Sequence, residues 1–263
     1  MRIGITEQGD GGISYDKAIQ RAQLLKTDGN IIITKHPSCL LDKDIPDNTI
    51  IHCTITGLGP DCVEGDGTSI IEPNVEDMDS AIGAYDMLLT RYGPERVVLR
   101  IDPIFPIGNM YKFGEQVLVR TKEVLDNSSS LYEGEPPIKI GRVRISFLDL
   151  YPHVKKRLSV VKELDDLSKL PMHASLRIRL MILDRLQANI PDNEIEVCGE
   201  PGMTCVGCVS ERDLKAMGLV PEIPPKEANI RRGCHCLAMK TELLSGKHPC
   251  SSGCLYCYWK DLD

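Results

Sequence analysis

A chain of 263 residues with 42% hydrophobic content can bury a sizeable core, which excludes a disordered or fibrous class and leaves one large α/β domain or two small ones. A formal net charge of −7 argues against general affinity for nucleic acid, and eleven cysteines, an odd number, in a chain of this length argue against a small secreted disulfide scaffold. No apolar run approaches the ~20 residues of a membrane span, and the opening MRIGITEQGDGG has neither the basic nor the apolar region of a signal peptide, so the sequence reads as soluble and cytoplasmic with no membrane partner.

In chain order, Arg2 to Thr6 (RIGIT) predicts a strand, and after a Gly-rich turn Ser14 stands where it would cap a helix over YDKAIQRAQLL. Further strands are predicted at Asn30 to Thr34, ended by Lys35-His36-Pro37, and at Thr49 to Thr56, stopped by Gly57-Leu-Gly59-Pro60. MDSAIGAYDMLLTRYG has helical spacing and ends on Gly93, a glycine where a helix terminates. The strand Arg96 to Ile101 runs into Asp102-Pro103; helix FGEQVLVRTKEVL and the polar segment DNSSSLYEGEPP, expected as an exposed loop, follow. A fifth strand, Gly141 to Phe147, precedes two helices, the second being ASLRIRLMILDRLQANI, and Glu194 to Cys198 is the sixth strand. Strand and helix alternating in this way predict an α/β fold with a parallel sheet, a (βα)6-type partial or full TIM-like barrel over residues 1–198.

From Gly199 to residue 263 the character changes to glycine, proline and cysteine, with one helix in SERDLKAMGL. A segment with so little apolar surface needs bound metal to order it, so 199–263 reads as a cysteine-rich cap on the barrel mouth. Cys39, Cys53 and Cys62 are scattered early, whereas Cys198, Cys205, Cys208, Cys234, Cys236, Cys250, Cys254 and Cys257 all fall late. Cys250, Cys254 and Cys257, with three and two residues between them, can ligate three irons of a [4Fe-4S] cluster and leave the fourth without a protein ligand. The pairs Cys205/Cys208 and Cys234/Cys236, with Cys198 as a fifth ligand, can hold zinc or a second [4Fe-4S] cluster, and the cluster is the reading preferred because it suits electron transfer. His235 and His248 lie close by and read as surface histidines.

In parallel α/β folds working residues collect at the carboxyl ends of strands. Here those ends carry Thr6 and Glu7, Lys35 and His36, Thr54 and Thr56, Arg100 and Asp102, Ser146 and Asp149, and Glu200; each alone reads as an ordinary loop residue, but their repetition marks a site. Gly9-Asp-Gly-Gly12 lacks a phosphate-loop pattern. Residues 138–185 hold eleven Lys/Arg against five Asp/Glu, a solvated surface in the ordinary case and a phosphate-facing one if the cations share a face.

The CxxxCxxC spacing, with Tyr256 before the third cysteine, is similar to the signature of the radical S-adenosylmethionine (radical SAM) enzymes. In order, ITKHP, TITGLG, RVVLRIDPI, VRISFLDLYPHVKKR, EVCGEPGMTC, RGCHCLA and HPCSSGCLYCYW resemble a bacterial family of unknown function with such carboxyl-terminal cysteines. The resemblance implies that the open iron chelates S-adenosylmethionine (SAM) and cleaves it to a 5'-deoxyadenosyl radical, with an electron from a partner such as flavodoxin or ferredoxin. Under that reading Lys35, Arg100, Asp102 and Glu200 position SAM and a polar substrate, a nucleotide or nucleic acid being the class favoured. Tyr256, Thr54, Ser146 and Asp149 line the cofactor. The competing expectation is a non-catalytic zinc- or iron-sulfur-binding module for partner recognition or electron transfer.

Overall fold

The computed structural model describes residues 1–59, 70–129, 139–161, 164–220, 226–227, 234–237, 239–244 and 250–260. Its strands are β1 (Ile3–Ile5), β2 (Gly29–Thr34), β3 (Thr49–Thr54), β4 (Val97–Ile104), β5 (Arg142–Phe147), β6 (Ile195–Val197) and β7 (Lys240–Glu242). The helices are α1 (Tyr15–Leu25), α2 (Met78–Tyr92), α3 (Lys112–Ser129), α4 (Pro152–Ser159), α5 (Asp165–Ser168), α6 (Leu176–Asn189) and α7 (Glu211–Ala216), with a 3-10 turn at Pro37–Leu40.

All strand pairs are parallel, in the order β6-β5-β4-β3-β2-β1-β7. From β1 to β6 each strand lies beside its predecessor, so the order never reverses as a doubly wound sheet requires, and right-handed crossovers put the connecting helices on one face. The packing agrees. Ile32, Ile51, Leu99, Val143 and Val197 of the strands share one apolar cluster with Ala18, Tyr85, Leu118 and Leu186 of the helices. The neighbouring positions Ile31, Ile50 and Val98 point the other way, into a cluster with Cys198, Cys208, Val209, Leu214, Cys234 and Leu237. The cysteine-rich segment therefore covers the face that the crossover helices leave bare.

Most predicted elements are present with shifted ends. Asp77 caps α2 by accepting from the Ser80 N–H at 2.8 Å, and Gly93 at φ 83° ends it. Ser14 occupies the cap position of α1 without a side-chain bond; Asp10 instead accepts from the N–H groups of Gly12 (3.0 Å) and Ile13 (3.1 Å). Helix α3 continues through Asp126 to Ser129, so the expected polar loop begins as helix, and its remainder, 130–138, lies outside the described residues. Strand β4 runs past Ile101 to Ile104 through an irregularity in its register with β5. Strand β7, which the apolar pattern does not predict, pairs with β1.

The alternation Arg142-Val-Arg144-Ile sends two arginines to the bare face, where register aligns Arg100, Arg144 and Glu196 in one row. Glu196 accepts from Arg142 Nε (3.0 Å) and Arg144 Nη2 (2.5 Å), and Asp213 from Arg142 Nη1 (2.8 Å), all within the buried interior. The capping box of Ser210 and Asp213 gives that same aspartate a second use at the start of α7. With Arg179 buried against Glu200, three cations of the basic stretch 138–185 are internal, and they present no common face to a phosphate.

Loss of one partner from this network leaves a buried charge uncompensated, so Glu196→Gln is expected to lower unfolding free energy by about 3–5 kcal/mol in denaturant titrations. His52 is fully buried, its ring nitrogens have no hydrogen-bond partner, and burial, then Arg144 and Arg100, hold its pKa well below the ordinary value. The unfolded chain takes up a proton that the folded chain refuses, so this residue's stabilisation is present above about pH 6.5 and declines as pH falls below it. His52→Leu should flatten that part of the dependence of unfolding midpoint on pH between about pH 7 and pH 5.

Candidate functional site at the carboxyl ends of the strands

The centre of the site is Glu72, 1% exposed, in the loop after β3. One carboxylate oxygen takes the Lys35 ammonium at 2.9 Å and the Tyr256 hydroxyl; the other takes the Thr56 hydroxyl. Lys35 stands just past β2 because Asp10 accepts its backbone N–H at 2.8 Å and the Thr34 hydroxyl at 2.6 Å. Gly11 and Gly12 make this possible: a Cβ on Gly11 would lie 2.5 Å from Thr6 Oγ1, and one on Gly12 2.4 Å from Thr34 Oγ1. Burial opposes the Lys35 charge, but Glu72, Cys254 and Asp102 outweigh it and hold its pKa above the ordinary value.

Lys35 Nζ also donates to the Asp102 carbonyl at 3.3 Å. The Asp102 carboxylate pairs with Arg100 and accepts from the Ser146 hydroxyl, so residues from the ends of β2, β4 and β5 form one connected group. Thr54 lines a small cleft with Lys35, Thr56, Gly57 and Glu72; its buried hydroxyl has no hydrogen-bond partner. Glu200 stands apart, accepting from the Phe147 N–H at 2.7 Å and from Arg179 at 2.9 Å. Burial pushes its pKa up to about 7, with the charge of Asp149 adding to the rise. Asp149 holds His173 Nδ1 at 2.7 Å.

The loop Cys250 to Cys257 lies on this rim. Leu255 N–H donates to the Ile71 carbonyl at 3.0 Å, Asn74 donates to the Ser251 carbonyl at 3.0 Å, and His36 meets Ser252 at 3.3 Å. Arg157 of α4 clamps it from behind, donating to the carbonyls of Leu255 (2.8 Å), Lys260 (2.7 Å) and Cys257. Tyr151 stacks on Tyr258 with centroids 4.6 Å apart, and the Tyr256 ring meets Phe105 edge-on at 5.7 Å. Cys254 is buried next to Lys35, and burial pushes its thiol up to about 12, with Lys35 pulling the other way. Cys250 and Cys257 are half-buried.

The remaining cysteines separate. Cys205 Sγ faces the Glu200 backbone, 3.2 Å from its oxygen and 3.3 Å from its nitrogen. Cys198 lies 3.3 Å from Cys208, sulfur to sulfur, and the Cys208 N–H donates to Cys236 Sγ at 3.1 Å. His235 turns outward to Glu227 at 2.8 Å; His248 and Cys62 lie outside the described residues. Among the described residues, no group of three or more His, Cys, Asp and Glu side chains already surrounds a position that would hold a metal ion.

The structure thus brings Lys35, Arg100, Asp102, Ser146, Thr54, Tyr256 and Cys254 together, and sets Glu200 and Asp149 in a neighbouring group. The sequence reading missed Glu72 and Asp10, the two acids on which the group hangs. Asp10 carried a signal, an acid among glycines facing a strand end; Glu72, ahead of a proline in a loop, carried none.

No described helix is long and apolar enough to cross a membrane. A family model for a domain of unknown function matches residues 15–259, while no curated protein and no solved structure matches the chain.

Removing the clamp should loosen the loop without unfolding the sheet. Arg157→Ala is expected to raise the alkylation rate of Cys254 about tenfold or more, as local opening becomes easier, while global unfolding shifts by only about 1–3 kcal/mol. Mass-resolved thiol labelling and thermal melts check both.

Proposed function

We propose that this chain, which belongs to the DUF1848 family of unknown function, is a radical SAM enzyme built on a one-directional parallel sheet that curls as a partial barrel, with residues 199–263 as its cap. The observation that carries the reading is the seat of the CxxxCxxC loop: Cys254 is buried against Lys35 on the rim where the ends of β2, β4 and β5 converge. In donor chemistry the loop suits a [4Fe-4S] cluster, since it offers three thiols and no fourth ligand of its own, held by Arg157 and the Ile71 backbone. The chemistry such a cluster supplies when bound is the reductive cleavage of SAM to a 5'-deoxyadenosyl radical, with the electron arriving from a flavodoxin- or ferredoxin-like partner.

The chain's own residues orient and enclose. Lys35 is a fixed cation available to the carboxylate of an amino-acid moiety, and Glu72 keeps it charged and aimed. Asp102, held by Arg100 and Ser146, offers a rigid acceptor for hydroxyl or amino groups. The Thr54 hydroxyl, buried beside the cleft without a partner, can turn to a ligand that enters it. Glu200, raised to about 7, is poised to hold or release a proton near neutrality, next to Asp149 and His173. The substrate is a polar molecule; a nucleotide is the first class to try, although the internal arginines give it no basic face.

The test is anaerobic reconstitution of the full chain. Bound iron removed by Cys254→Ser, and 5'-deoxyadenosine released from SAM with dithionite, are the expected results, with Lys35→Ala lowering SAM affinity about tenfold or more for loss of one charge-assisted contact. A colourless protein whose three thiols saturate on zinc would overturn the enzyme in favour of a binding module, and a reducible cluster inert toward SAM would make it an electron carrier.

A further inference from the structure

Cys198, Cys208, Cys234 and Cys236 are left over by that site. They gather on the face of the sheet away from the helices, 3–8% exposed except Cys236 at 1%, within one apolar cluster. Three chain segments meet there by construction. Val206 N–H donates to the Val197 carbonyl at 2.7 Å, fixing Cys208 beside the end of β6, and Leu237 N–H donates to the Val209 carbonyl at 3.1 Å, fixing Cys236 beside Cys208. Gly207 permits the contact, because a Cβ on it would lie 2.4 Å from the Cys236 Cα and 2.6 Å from its nitrogen.

We infer that these four sulfurs form a second, independent site for a single thiophilic divalent cation, zinc being the class, with Cys205 excluded. The spacing argues for one ion. Tetrahedral zinc with bonds of ~2.3 Å places its sulfurs ~3.8 Å apart, close to the 3.3 Å between Cys198 and Cys208. A four-iron cluster puts each thiolate on a different iron, which demands a wider set. The polar surroundings suit a dianionic thiolate complex. Cys208 N–H already points at Cys236 Sγ, Arg100 and Arg144 lie near Cys198 and Cys208, and Lys240 lies near Cys236. The sulfurs now run as a chain, Cys198 to Cys208 to Cys236, with Cys234 hydrogen-bonded to Cys236 at its end. Binding closes the chain around the ion, and each thiol gives up its proton to solvent with no change of oxidation state. Cys205 cannot join while its sulfur is engaged with the Glu200 backbone. The ion's effect is to tie β7 and the segment before it to the sheet.

The experiment uses the full chain with Cys250, Cys254 and Cys257 all changed to serine, so that failure of the radical SAM reading does not touch the result. After loading with zinc, metal analysis should give about one ion per chain, and cobalt(II) in its place should give the intense visible bands of tetrahedral four-thiolate coordination. Adding Cys205→Ser should change neither. Adding Gly207→Ala, which keeps every sulfur but blocks the approach, should weaken metal binding tenfold or more in chelator competition, about 1.4 kcal/mol. No retained metal, loss of metal on Cys205→Ser, an octahedral cobalt spectrum, or about four irons per chain on reconstitution with iron and sulfide would each overturn it.

Discussion

A buried carboxylate with three donors around it is the constraint on which the carboxyl rim depends. Glu72 has been taken from water, and it is kept charged by Lys35 from the end of β2 while Thr56 and Tyr256 fill its remaining acceptor positions. These partners come from parts of the chain 37, 16 and 184 residues distant. A group so enclosed tolerates one arrangement of its neighbours, because any of them withdrawn leaves an unsatisfied polar atom in the interior. That is how a loop near the carboxyl terminus is registered against strands formed early in the sequence. It also explains why Tyr256, read from the motif as a lid over a cofactor, is instead a strut: its ring packs on Phe105 and its hydroxyl is committed to Glu72.

The sheet was legible because each of its first six strands contains a run of β-branched residues flanked by a turn signal, and the crossover helices carry caps or glycine stops in the expected places. What the sequence concealed has a physical reason in each case. Lys240-Thr-Glu242 is polar and short, and it becomes a strand only because Lys240 reaches Glu7 and Glu242 accepts from the Glu7 and Gln8 N–H groups. Arg142 and Arg144 counted toward a basic surface, yet their alternation with Val143 and Ile145 already placed them on a single face, and Glu196 and Asp213 made that face an interior one. Lys35, Arg100, Asp102 and Ser146 could be found as strand ends, whereas Glu72 could not, since its importance lies wholly in who surrounds it.

The two groups of thiols are built on opposite principles. Cys250, Cys254 and Cys257 belong to one short loop, so their proximity is local and the protein's task is to seat the loop, which Arg157 and the aromatic pair Tyr151 and Tyr258 do. Cys198, Cys208, Cys234 and Cys236 come from three segments, so their proximity is a product of the fold and reports on its completion. Arg100 stands between the groups, paired with Asp102 at the rim and close to Cys198 and Cys208 on the inner face. A change in charge at either end is therefore felt by the same guanidinium.

The placement of β7 against β1 has a bearing on how the polypeptide is made. During synthesis β1 acquires its neighbour β2 within some thirty residues, yet its other flank stays without a partner until Lys240–Glu242 has emerged, at a separation of 233 residues for the Lys240–Glu7 pair. For nearly all of translation the nascent molecule thus carries a bare strand edge, the kind of surface on which foreign chains nucleate. Ile3-Gly-Ile5 answers that hazard by its brevity: three residues with a glycine between two isoleucines offer a passing chain too few rungs to hold.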